Sequence, residues 1–166
     1  MVEKPQTIVV GYDGTAPAEH ALRRTIGLAH ALGARVIVVS VSTLQPLAAV
    51  ATPGAFGLVP YAYPAEELGQ AAELDEELRE QHRERVQTLF RDAGVGVEFV
   101  GVAGEPASEL IDAAEQRQAD LIVVGTREPD FLERLLGGSV SQQVGRRAHC
   151  DVLIVHPGHG SGGEHR

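Results

Sequence analysis

Gly125, Glu128, Gly138 and Ser139 stand in a stretch whose residue types suit the binding of an anion. Ser139 follows Gly137 and Gly138 and precedes Val-Ser-Gln-Gln-Val-Gly-Arg-Arg, so it is placed to cap a helix. The free backbone N–H groups of a helix start can hold a phosphate. Glycine beside such a start lets those groups approach an oxyanion with no Cβ in the way. A second candidate is Asp13, within Gly11-Tyr12-Asp13-Gly14-Thr15, whose carboxylate can accept from hydroxyl or amine donors. Asp13 also reads as a turn residue or helix cap, and both readings stay open here.

Other chemistries lack their residues. Lys4 is the only lysine, the other thirteen basic residues being arginine, and it precedes the first strand-like run. A P-loop enzyme needs Gly-Lys-Ser/Thr and a phospho-receiver needs a lysine near its acids; neither is met. No Gly-x-Ser-x-Gly elbow and no His-Glu-x-x-His occurs. We therefore expect no enzyme, or at most slow ATP hydrolysis without an identifiable base. Cys150 is the single cysteine, which excludes an intrachain disulfide or a cysteine-based zinc cluster, and it reads as a small residue packed at a strand entrance. His156, His159 and His165 lack a rigid geometry for a metal site.

The elements that must position these residues follow from apolar patterning. Thr7–Val10, Arg35–Ser42, Val95–Val102, Leu121–Val124 and Val152–Val155 are apolar or β-branched runs with little polar alternation, as expected of strands covered on both faces. Thr15 caps a helix with Pro17 and Glu19 in its first turn, an apolar stripe of Leu22, Ile26, Ala29 and Leu32, and a stop at Gly33. Glu66–Ala93 is a long charged helix with Leu74, Leu78, Val86, Leu89 and Phe90 on its apolar face, and His82 among them as a satisfied structural histidine. Pro106 opens a third helix, with Leu110, Ile111 and Ala114 toward the core. Five strands alternating with four helices make one doubly wound α/β domain with a parallel sheet and helices on both faces. Ligands of such sheets sit beyond the carboxyl ends of the strands, where the strand order reverses.

Residues 43–65 interrupt the pattern with Pro46, Pro53, Pro60 and Pro64 among Leu47, Val50, Phe56, Leu58, Tyr61 and Tyr63. A loop this long is uncommon in a compact domain; it reads as an excursion packed on its own subunit, or as a lid or partner contact. Residues 157–166, rich in Gly and His, read as a disordered tail after a 1–156 domain. The formal net charge of -9 opposes general affinity for nucleic acid or anionic membrane. No apolar stretch of signal-peptide or membrane-spanning length occurs, so a cytoplasmic protein is expected.

Taken together, Val-Val-Gly-Tyr-Asp-Gly-Thr, Gly-Glu-Pro-Ala, Ala-Asp-Leu-Ile-Val-Val-Gly, Leu-Leu-Gly-Gly-Ser-Val-Ser and Ala-His-Cys-Asp-Val-Leu-Ile-Val occur in order and at near-normal spacing. In these motifs the chain resembles the universal stress protein family over nearly its whole length. Gly125, two residues, Glu128, nine residues, then Gly138-Ser139 resembles that family's phosphate signature, in which the middle position is also glycine. The resemblance implies strand order 3-2-1-4-5, and with it a switch point that brings the Asp13 turn beside the Gly125 loop. It implies Asp13 near the adenosine, the backbone of Val41 at the adenine, and Gly125, Gly138, Ser139, Val140 and Ser141 at the phosphates and ribose. Thr126 and Arg127 of the adjoining loop complete this candidate set. The implied ligand is ATP or AMP, with Mg2+ only alongside ATP; a flavin fits the topology class but not the motifs. A homodimer through the edge strand Asp151–His156 and a further protein partner are implied as well.

Glu128 is the departure. Glutamate lacks the backbone freedom of glycine, and a carboxylate ~5 Å from a phosphate charge costs roughly 3 kcal/mol at an effective dielectric of ~20, on the order of a hundredfold in affinity. Arg127 would offset part of that if it points inward. Two functions are therefore expected to compete: a nucleotide-binding dimeric stress-response regulator with weakened ATP affinity, and a dimeric interaction protein with a degenerate site.

Overall fold

A computed structural model describes residues 6–43, 65–126 and 139–156. The long loop, the Gly/His tail, and Arg127, Glu128 and Gly138 of the signature lie outside the described residues. Strand β1, Thr7–Gly11, leads into helix α1, Ala16–Leu32; β2 is Arg35–Ser42, α2 is Ala65–Asp92, and β3 is Val97–Ala103. Helix α3 is Pro106–Gln116, β4 is Leu121–Gly125, α4 is Val140–Arg147 and β5 is Asp151–Val155. The five strands form one parallel sheet in the order β3-β2-β1-β4-β5, as the resemblance implied.

Alternating side chains of the central strands bury on opposite faces, which is why their sequences show no polar alternation. Ile8, Val10, Val36, Val38 and Val123 pack with Leu22 of α1 and with Val86 and Phe90 of α2. Val9, Ile37, Val39, Ile122 and Val124 pack on the other face with Leu110 and Ala114 of α3 and Val144 of α4.

Local capping matches the expected signals. Thr15 accepts from Ala18 N–H at the start of α1, and Gly33 closes that helix with φ 63°. Glu105 caps α3 with its carboxylate, accepting from the N–H groups of Ala107 and Ser108. Ser139 caps α4 and accepts from Gln142 N–H.

Three leucines differ from the expected apolar faces. Leu74 and Leu78 of α2 are 66% and 50% exposed, and Leu32 at the end of α1 is 48% exposed. In α2 the fully buried residues are Val86 and Phe90, so its C-terminal half covers the sheet while the half bearing Leu74 and Leu78 remains largely in solvent. Leu74 and Leu78 also lie off the stripe of Val86 and Phe90, since steps of four residues drift round a helix of 3.6 residues per turn.

Candidate functional site

Strand order reverses between β1, followed by β2 on one side, and β4 on the other. The carboxyl ends of β1 and β4 therefore splay into a crevice, and a cavity of about 150 Å³ lies there. Gly11, Tyr12, Asp13 and Thr15 line it from the first turn, Ala18 from α1, Val39 and Val41 from β2, and Val124 and Gly125 from β4. Pro106 and Leu110 of α3 and Val140 of α4 complete it. Its walls are mostly aliphatic, with Asp13, Thr15 and Tyr12 supplying polar groups, the composition of a site for a flat ring with a polar edge.

Four of the expected site residues, Asp13, Val41, Gly125 and Val140, thus converge on one cavity. Ser139 and Ser141 adjoin Val140 at the start of α4, their hydroxyls 2.9 Å apart. Ser141 is buried, whereas Ser139 faces the helix start as its cap. Thr126 is buried and its N–H donates to Val155 O at 3.0 Å, continuing the sheet instead of opening toward a ligand. Gly11, Tyr12, Thr15, Ala18, Val39, Pro106, Leu110 and Val124 were not expected at the site. Gly11, Tyr12, Thr15, Pro106 and Val124 stand in the motifs that carry the resemblance but were not read as lining residues, and Ala18, Val39 and Leu110 carried no signal.

Two of the converging residues have structural work as well. Asp13 Oδ1 accepts from Thr15 N–H at 3.0 Å and from Thr15 Oγ1–H at 2.6 Å, so the turn-residue reading holds for that oxygen, while Oδ2 makes no hydrogen bond among the described residues. At Gly125 an added Cβ would lie 2.2 Å from the carbonyl oxygen of Pro17. The first turn of α1 crosses the end of β4 there, and that close approach requires glycine with or without a phosphate.

Behind the first turn a polar chain ties three elements together. Tyr12 O–H donates to Glu19 Oε2 at 3.4 Å, and Glu19 pairs with Arg23 at 3.2 Å and with Arg85 of α2. Burial alone would push the Glu19 carboxyl up, but Arg85, Arg23 and the Tyr12 hydroxyl together hold it below its ordinary value. Burial, and then the Glu19 charge, push the Tyr12 phenol up. His82 stacks edge-on against Tyr12 with ring centroids 5.1 Å apart, and its Nδ1 lies 3.1 Å from Ser40 Oγ. Burial depresses its pKa against an opposing pull from Asp13.

A larger groove of about 490 Å³ lies elsewhere, between α1 and β5, lined by His20, Arg23, Arg24, Gly27, Leu28, Val155 and His156. It holds none of the Gly125–Ser141 signature residues. Among the described residues no group of three or more His, Cys, Asp or Glu is placed to hold a metal ion, and no helix is long and apolar enough to cross a membrane.

The strand order and the crevice define a doubly wound α/β domain with a cavity at its switch point. The universal stress protein family matches residues 5–156, and the chain belongs to that family. A universal stress protein of Methanocaldococcus jannaschii is 31% identical over 148 residues, spanning 89% of this chain and 80% of the relative. A universal stress protein solved in complex with cAMP is 29% identical, with a TM-score of 0.63, over 94% of this chain and 100% of the other. The universal stress protein of Archaeoglobus fulgidus in complex with dAMP is 25% identical, with a TM-score of 0.55, over 93% and 98%.

Proposed function

We propose that this protein binds an adenine nucleotide, AMP or ATP, at the crevice between β1 and β4, and that occupancy alters its contacts with partners in a stress response. The observation that carries this reading is the convergence of Asp13, Val41, Gly125 and Val140 on one aliphatic cavity at the switch point. The base lies between Val39, Val41 and Leu110, with the Val41 backbone as its polar partner, and Asp13 accepts from the nucleoside. The phosphates extend toward the Ser139 cap of α4, where the helix start favours negative charge. Solved relatives that carry cAMP and dAMP support the ligand class. A cavity of about 150 Å³ is below the ~300 Å³ of a typical ligand pocket, so it suits the base while the rest of the ligand lies in the open mouth. The protein acts as a homodimer through β5 and needs no catalytic residue.

A second reading rests on three specific observations. Glu128 replaces a signature glycine, Gly125 is required by Pro17 alone, and Asp13 is half engaged by Thr15. On that reading the crevice is a relic and the dimer works through protein contacts. Equilibrium binding of ATP, AMP and cyclic AMP to wild type and Glu128→Gly separates the two. The nucleotide reading expects millimolar or tighter binding by wild type and ATP affinity improved on the order of a hundredfold in Glu128→Gly. No binding by either protein at millimolar concentration overturns it in favour of the second reading.

A further inference from the structure

His82 is the one half-buried histidine wedged behind the first turn of the crevice, and it belongs to α2, an element that supplies no residue to the cavity lining. Its Nδ1 meets Ser40 Oγ of β2 at 3.1 Å, its ring meets the Tyr12 ring edge-on, and its Nε2 presses against Gly14. A Cβ on Gly14 would lie 2.6 Å from that Nε2, and Gly14 itself sits at φ 78°. The residue thus braces both sides of Asp13 in the chain.

We propose that His82 is a positioning residue for the nucleotide site: its neutral ring holds the Tyr12–Gly14 turn in the form that presents Asp13 to the ligand, and acidification releases that hold and weakens binding. This rests on the nucleotide reading above. The neutral ring is satisfied as its Nδ1–H tautomer, which donates to Ser40 Oγ and turns an acceptor, not a donor, toward Gly14. The cation has a donor at both nitrogens. One is met by Ser40, while the other faces Gly14, which offers no acceptor side chain. Around the ring stand Tyr12, from the end of β1, and Asp13, from the turn; Glu19 of α1 and Arg85 of α2 reach it only through Tyr12. Arg85 and Glu19 are paired with each other, and Tyr12 donates to Glu19. Asp13 is the remaining counter-charge, and its Oδ1 is held by Thr15. Protonation therefore either turns the open Oδ2 of Asp13 toward the ring and away from the ligand, or leaves a half-buried cation unpaired behind the turn, and both weaken the ligand's hold.

The sign follows from burial, which lowers the folded-state pKa of His82 below its ordinary value of about 6.5. The unfolded chain then binds the proton more readily than the folded one. The contribution of His82 to stability is complete above about pH 6.5 and is lost as pH falls toward the folded pKa. By reciprocity, a ligand that needs the neutral form lowers the His82 pKa further when it binds.

Cyclic AMP is the probe, because its phosphodiester does not titrate where the second ionisation of a phosphomonoester, near pH 6, would interfere. Its affinity is measured from about pH 7.5 to about pH 5.5 for wild type, His82→Asn and Ser40→Ala, with NMR of the His82 ring and the Gly14 amide in parallel. The proposal expects wild-type affinity to fall as pH drops through the His82 midpoint seen by NMR, and His82→Asn to give a flat profile. It expects Ser40→Ala to shift the midpoints of binding and of the His82 titration together, and bound cyclic AMP to lower the His82 midpoint. Identical pH profiles in wild type and His82→Asn, or a His82 midpoint unmoved by ligand, overturn it. If neither protein binds cyclic AMP at any pH, the nucleotide reading is what fails for this ligand. The brace is then judged on Gly14, whose amide must titrate with His82 in wild type or the brace is refuted too.

Discussion

Gly125 shows how one residue can satisfy two demands that sequence patterning cannot separate. A glycine spaced for a phosphate looks the same in sequence as a glycine spaced for a crossing helix, and here the carbonyl of Pro17 makes the second demand directly. Gly125→Ala is therefore expected to cost about 1–3 kcal/mol by overpacking against backbone that cannot yield, read as a Tm lowered by several degrees. Gly27 is the contrast: it lies inside α1 with nothing within 4 Å of an added Cβ, and Gly27→Ala should stabilise by about 0.5–1 kcal/mol. A Gly125→Ala protein with unchanged Tm would refute the packing account of that glycine. Asp13 follows the same pattern: its Oδ1 is committed to Thr15, which meets the turn reading without using Oδ2.

At the scale of elements, the strands were legible because a sheet covered on both faces needs apolar residues at every position. Helix boundaries were legible because Thr15, Gly33, Glu105 with Pro106, and Ser139 carry capping chemistry in their own side chains or backbone. What the pattern could not supply was the extent to which α2 rests on the sheet. Val86 and Phe90 are fully buried, whereas Leu74, more than three turns earlier, is mostly in water, because a run spaced by four residues drifts round a helix of 3.6 residues per turn and leaves the buried face. Phe90→Ala should accordingly cost about 3–5 kcal/mol in denaturant unfolding. Leu74→Ala should stay within about 0.5 kcal/mol. Equal losses from the two would mean that the first half of α2 is covered by something beyond the described contacts. The α3 contribution to the crevice, Pro106 and Leu110, was missed because a cavity wall made of ordinary aliphatic side chains has no signature of its own.

For the whole molecule, the order of strands is a matter of tertiary contact, and no local residue encodes it; the resemblance in five motifs supplied it, and the sheet has that order. The order leaves β5 paired on one side only, with β4, among the described residues. An unpaired edge of five residues, Asp-Val-Leu-Ile-Val, invites pairing with a twin. Sedimentation equilibrium is expected to give twice the 17.6 kDa chain mass, with β5 amides protected from hydrogen exchange more strongly as concentration rises. A monomer across the micromolar range would contradict the dimer reading.

The central claim is that an adenine nucleotide enters the crevice between β1 and β4. Amide NMR during an AMP titration tests it most directly, because the crevice and the groove between α1 and β5 have disjoint linings among the described residues. The account predicts saturable shifts at Gly11 to Thr15, Val41, Gly125 and Val140, with His20 to Leu28 and His156 unmoved. Shifts confined to the groove of His20, Arg23, Arg24 and His156, or no saturable shift at millimolar AMP, would contradict it.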